Sequence, residues 1–152
     1  MIDQQLSLLT QTRKNLLEEV NACSLEQLFS IPEKFNNNII WNIGHLIATF
    51  DILIYASSNT QSKIDSSITD SFKKGTFPSQ EIDKSLAEKL VAEFTSSVEN
   101  LKQDYKNQIF GSYTERVTSY GVKLSSVEDA ISFCNLHESM HYGQIKMLRR
   151  LV

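Results

Sequence analysis

Cysteine, proline and glycine are all scarce in this sequence: 2, 2 and 5 among 152 residues. Two cysteines, Cys23 and Cys134, cannot build a disulfide framework. So few chain-turning residues leave little room for the many tight turns of a sandwich or barrel and favour long helices. A basic surplus is missing too. Lys+Arg number 15 and Asp+Glu 18, a net charge of −3, so the chain has nothing in excess with which to neutralise phosphates, and nucleic-acid binding by charge is not expected. The opening Met1-Ile2-Asp3-Gln4-Gln5 lacks the basic start and apolar centre of a secretion signal. A cytoplasmic protein of one domain, residues 1–152, is therefore expected.

The apolar residues that are present recur at helical spacing. From Ile2 to about Ala22, Leu6, Leu9, Leu16, Leu17 and Val20 form one stripe. Ser24-Leu25-Glu26-Gln27 fits a capping box, opening a short turn through Phe29 that Pro32 ends. Asn36-Asn37-Asn38 supplies N-cap chemistry for a second long helix, Ile39 to about Ser57. That helix is apolar nearly all round, yet Asn42, His45, Thr49 and Asp51 argue against a membrane span. Its outer face calls for a cover, either a second copy of the chain, which would make a homodimer, or the neighbouring linker.

Ser57 to Pro78 is polar and without clear period, a long crossover or lid. A third helix is expected from Pro78-Ser79, with Ile82, Leu86, Leu90, Phe94 and Leu101 on its stripe. Ile109 to Leu124 supports a loop or one short hairpin. Ser125-Ser126-Val127-Glu128 reads as a second capping box, opening a last helix to about Leu151. The fold class is all-α: a four-helix bundle with its longest link between helices two and three.

The sequence has three histidines. His137 and His141 are four apart on the last helix, so their rings leave one face a turn apart. His45 lies on the apolar second helix, which can oppose that face. Three neutral imidazoles could then hold one divalent ion and leave positions open for water or substrate. His137-Glu138-Ser139-Met140-His141 also matches H-E-x-x-H, the zinc-protease helix. A downstream third ligand is required there, and none of the eleven residues after His141 is His, Asp or Glu. Glu138 is read either as a proton-moving group at the centre or as an interhelix charge. Gln144, seven residues past His137, returns to nearly the same face and could orient a ligand or contact substrate. Cys134 is read as core, Trp41 and Thr49 as flanking His45, and Gly143 as allowing close helix approach. Tyr113, Arg116 and Tyr120 are read as a solvated loop or, alternatively, an anion- or thiol-recognising surface.

His137-x-x-x-His141-Tyr142-Gly143-Gln144 resembles the last-helix motif of the DinB-like superfamily. Asn38-Ile39-Ile40-Trp41-Asn42-Ile43-Gly44-His45-Leu46 resembles its second-helix motif, and Leu28-Phe29-Ser30-Ile31-Pro32 the segment before it. The resemblance implies a bundle with a long crossover, metal ligands at His45, His137 and His141, and zinc or nickel as the ion. It also implies frequent dimers, and either S-transfer with a low-molecular-weight thiol or hydrolysis of a small-molecule substrate. A metal-binding or stress-associated bundle without turnover is the alternative.

Overall fold

In the computed structural model, which describes residues 2–79 and 81–152, helix α1 runs Ile2–Asn21 and presents Leu6, Leu9, Leu16 and Val20 to the core. The short α2, Leu25–Phe29, carries the expected capping box: Ser24 Oγ accepts from the Gln27 N–H, and Gln27 Oε1 accepts from the Ser24 N–H. Asn38 caps α3, Ile39–Asp51, by accepting from the Trp41 N–H at 2.8 Å while its own amide donates to the Phe29 carbonyl. A π-helical turn, Ile52–Ala56, carries the same helix on.

The link expected to be irregular contains α4, Ser66–Phe72, capped by Asp65. Seven residues with apolar contacts only at Ile68 and Phe72 are too few for a helical period to show. Helix α5 spans Lys84–Lys106, later than expected, because Asp83 is the residue that caps it. Ile82, counted in the stripe, is exposed. A two-stranded antiparallel hairpin pairs β1, Arg116–Val117, with β2, Lys123–Leu124. The box opening α6, Val127–Leu151, sits one residue further along than the sequence suggests: Ser126 caps, and Asp129 returns a bond to the Ser125 N–H. Glu128 instead accepts from the Tyr105 hydroxyl.

Helix α1 packs on α5 and α6, and α3 packs on the same two, so the four long helices close a ring in the order α1, α6, α3, α5. The longest connection, residues 57–83, joins α3 to α5. Ile39–Ala56 is long and apolar enough to cross a membrane, yet 78% of it is buried in the fold. Its outer face is covered by α4, whose Phe72 ring lies flat against Gly44. The apolarity of α3 is thus accounted for within one chain and does not call for a second.

The core is split in two. One cluster gathers Leu16, Val20, Trp41, Leu46, Leu90, Phe94 and Ile145, and the other Leu6, Leu9, Phe50, Leu101, Ile131 and Cys134. Between them, Arg13, Ser97 and Glu138 form a buried polar layer. Glu138 of this layer directly follows His137 on α6.

Candidate metal centre

Residues four apart on α6 are separated by only about 40° beyond one full turn, so the His137 and His141 rings project together, with centroids 4.6 Å apart. His45 reaches them from α3, its ring centroid 5.4 Å from that of His137 and 5.2 Å from that of His141. One ring nitrogen from each of the three lies within 4.8 Å of the others. All three rings are 9% exposed or less.

The outward nitrogens of His45 and His141 are committed. The Phe72 carbonyl at the end of α4 can only accept, so His45 Nδ1, at 2.8 Å, carries its proton. Asn42 donates its amide N–H to the Asn38 carbonyl at 2.7 Å. Its Oδ1 is thereby left to accept from His141 Nδ1 at 2.7 Å. Both rings consequently hold an unprotonated Nε2, the atom a metal takes, in the manner of outer-sphere groups that set the ligand tautomer. His137 is held by packing, with Phe133 stacked 5.9 Å away at 16°. Trp41 stacks on His45 at 4.9 Å and 8°, its indole N–H donating to Thr76 Oγ1. Thr49 Oγ1 stands 3.4 Å from His45 Nε2.

Burial holds all three imidazoles in the neutral, ligating form. It lowers His45 against the opposing bond to Phe72. It takes His137 down to about 4, with His45 adding to the effect. It takes His141 down to about 3, helped by His137 and His45. Three clustered, neutral nitrogen donors, two of them with tautomers set from outside, are the donor set of a borderline-soft divalent ion such as zinc or nickel.

The other expected residues are placed differently. Glu138 is not at the centre. It is buried and paired with Arg13, whose Nε contacts both carboxylate oxygens at 3.1 Å and whose Nη2 reaches Oε1 at 2.7 Å. Its Nη1 donates to Ser97 Oγ at 2.6 Å and to the Phe94 carbonyl at 3.0 Å, and the Phe50 and Phe94 rings enclose the guanidinium. Gln144 is exposed on the rim and orients neither ring; Asn42 and the Phe72 carbonyl do that. A side chain at Gly143 would meet nothing within 4 Å, so this glycine does not serve helix approach. Cys134 is fully buried among apolar side chains, its thiol pushed up by desolvation, and stands outside the histidine group. Tyr113 donates to the Leu53 carbonyl and Arg116 to Ser57, which fastens the hairpin stem to the end of α3.

Sequence reasoning missed Arg13, although a signal existed. Buried positions on α1 run 6, 9, 13, 16, 20, and Arg13 fills the one core slot of that spacing that is not apolar. Asn42 was visible as a polar residue on an otherwise apolar helix.

No curated protein matches the sequence. A solved structure of a conserved protein from Enterococcus faecalis is similar over 100% of this chain and 96% of its own, with a TM-score of 0.69 and 14% identity, which bears on the fold alone. With a DinB superfamily model matching residues 8–145, on top of the bundle and the motif order, the chain belongs to the DinB superfamily.

Proposed function

We propose that the chain is a metal-dependent enzyme acting on a small molecule through His45, His137 and His141, and that it transfers a group to or from a low-molecular-weight thiol. The observation that carries this reading is the electrical neutrality of the surroundings. The groups that touch the rings are all uncharged: the Phe72 carbonyl, Asn42, Thr49, Trp41 and Phe133. Hydrolysis usually recruits a protein carboxylate or similar group as general base. The one nearby carboxylate on the same turn, Glu138, is wholly engaged by Arg13. A divalent ion on three neutral nitrogens keeps its full charge and favours the ionised form of the nucleophile presented to it, a thiol more readily than water.

The residues around the centre then divide the work. Asn42 and the Phe72 carbonyl keep the ligand nitrogens unprotonated and aimed inward. Trp41 and Phe133 flank the rings and keep bulk water from them. Thr49 offers a hydroxyl that can hold or pass a proton beside His45 Nε2. Nothing in the charge balance or in the buried α3 calls for nucleic acid or a membrane, and a cytoplasmic setting suits two free cysteines.

The test is a paired assay on zinc- or nickel-loaded protein. Glutathione or cysteine with an activated aryl halide is compared with aryl esters and anilides. Metal-dependent thiol consumption, absent in His137→Ala, is expected, with ester and anilide cleavage at background. Metal-dependent ester cleavage without thiol transfer would replace the reading with a hydrolase. Inertness toward all of them would favour the non-catalytic metal-binding bundle.

A further inference from the structure

Beside the centre, a groove of about 480 Å³ runs between α6 and the loop that precedes α3. Phe35, Met140, Met147 and Leu148 supply apolar walls, and Asn37 and Gln144 each present a carboxamide. The lining includes no Asp, Glu, Lys or Arg. Volume and character are those of a small-molecule site: mostly apolar, with a few placed polar groups.

Three observations join this groove to the histidines. Gln144 follows His137 by seven residues and His141 by three, which returns it to the edge of the ligand face. Met140 immediately precedes His141 on the same turn. Asn37 Oδ1 lies 3.4 Å from Asn42 Nδ2, and Asn42 in turn holds His141, so a chain of amides runs from the groove to the ligand. Gly143 is part of the lining and leaves open space where any other residue would put a side chain. A glycine in mid-helix costs about 0.5–1 kcal/mol relative to alanine. Its place here keeps the groove open.

We propose that this groove receives the body of the acceptor substrate, and that this body is uncharged and largely apolar, with an amide- or carbonyl-type group lying between Asn37 and Gln144. The proposal rests on the metal-centre reading for its role, while the groove itself is testable without metal. An anionic or cationic substituent would lose its hydration among Phe35, Met140 and Met147 and find no counter-charge in the lining.

The chain has 3 methionines, two of them in the groove, so ¹³C-methyl methionine labelling reports on it directly. Acetanilide is the neutral probe, and 4-acetamidobenzoate is its charged counterpart. Acetanilide is expected to shift the Met140 and Met147 methyl signals in metal-free and zinc-loaded protein alike. The charged probe is expected to bind at least tenfold more weakly. Gly143→Leu, filling open space on a helix, is expected to melt no lower than the parent while losing the acetanilide response. Equal response to both probes, no response at either methyl, or an unchanged response in Gly143→Leu would each overturn the proposal. So would signals that broaden with protein concentration alone, which would make the groove a contact between two copies. Zinc uptake measured on the same samples separates the two readings: a groove that binds acetanilide on a chain that takes no metal would sink the centre and leave the groove standing.

Discussion

Replacing Arg13 by methionine will remove about 3–5 kcal/mol of folding stability, the cost of stranding a buried charge. Much of the roughly 5–15 kcal/mol typical of a native domain would go with it. The reason lies in the polar layer. Arg13 and Glu138 are 2% and 1% exposed, and each of the three guanidinium nitrogens donates, to Glu138, Ser97 or the Phe94 carbonyl. Burial pushes the Glu138 carboxyl upward against the pull of Arg13. Without Arg13 that upward push is unopposed, and the folded carboxyl titrates well above its unfolded value. A carboxyl raised in the folded state binds its proton more tightly there than when unfolded, so its contribution to stability falls as pH rises. The deficit of Arg13→Met relative to the parent should accordingly be smaller at pH 5 than at pH 7.5. The double replacement Arg13→Met with Glu138→Leu removes both charges and should recover most of the loss, as apolar replacements of buried pairs do. Urea unfolding at the two pH values checks all three statements. A single variant as stable as the parent at neutral pH would show that the pair contributes nothing.

Gly44→Ala should damage the centre without touching a ligand. A Cβ at residue 44 would stand 2.4 Å from two atoms of the Phe72 ring. Phe72 is buried and one of the two atoms is its Cγ, next to the backbone, so rotating the ring does not relieve the contact and α4 must move outward, at a cost of about 1–3 kcal/mol as for other overpacked cores. The carbonyl of that same Phe72 holds His45 Nδ1. Displacing it loosens the ring and frees its tautomer, and loss of such an outer partner typically costs about 10–100-fold in metal affinity. Zinc titration and thermal melting of the variant measure both effects. Unchanged zinc affinity with a lowered melting temperature would mean that His45 is seated by Trp41 and its own helix rather than by α4.

These two cases also show what could be read from the sequence and what could not. The histidine set was legible because helical period alone puts residues 137 and 141 on one face, and because residue 45 is the only further histidine on an apolar helix. The bundle was legible for the same reason: four long stripes with few breakers between them. Arg13 was hidden because a charge in a core slot of α1 looks like a residue of the polar face until its partner is known, and Glu138 lies 125 positions away. The Phe72 carbonyl could not be foreseen at all, since a backbone acceptor leaves no mark on residue identity. Helix α4 and the late start of α5 escaped because capping by Asp65 and Asp83, rather than periodicity, sets their ends. Gly143 was misread because a glycine reads alike whether a neighbouring helix or empty space stands against it.

The most direct test is to titrate untagged, metal-free protein with zinc and with nickel, and to record the X-ray absorption spectrum of the loaded form. One ion per chain is expected, with three imidazole nitrogens at roughly 2.0–2.1 Å for zinc, and that binding should disappear in His45→Ala as completely as in His137→Ala. A chain that takes up neither metal saturably, or a His45→Ala variant that binds as the parent does, would contradict the centre described here.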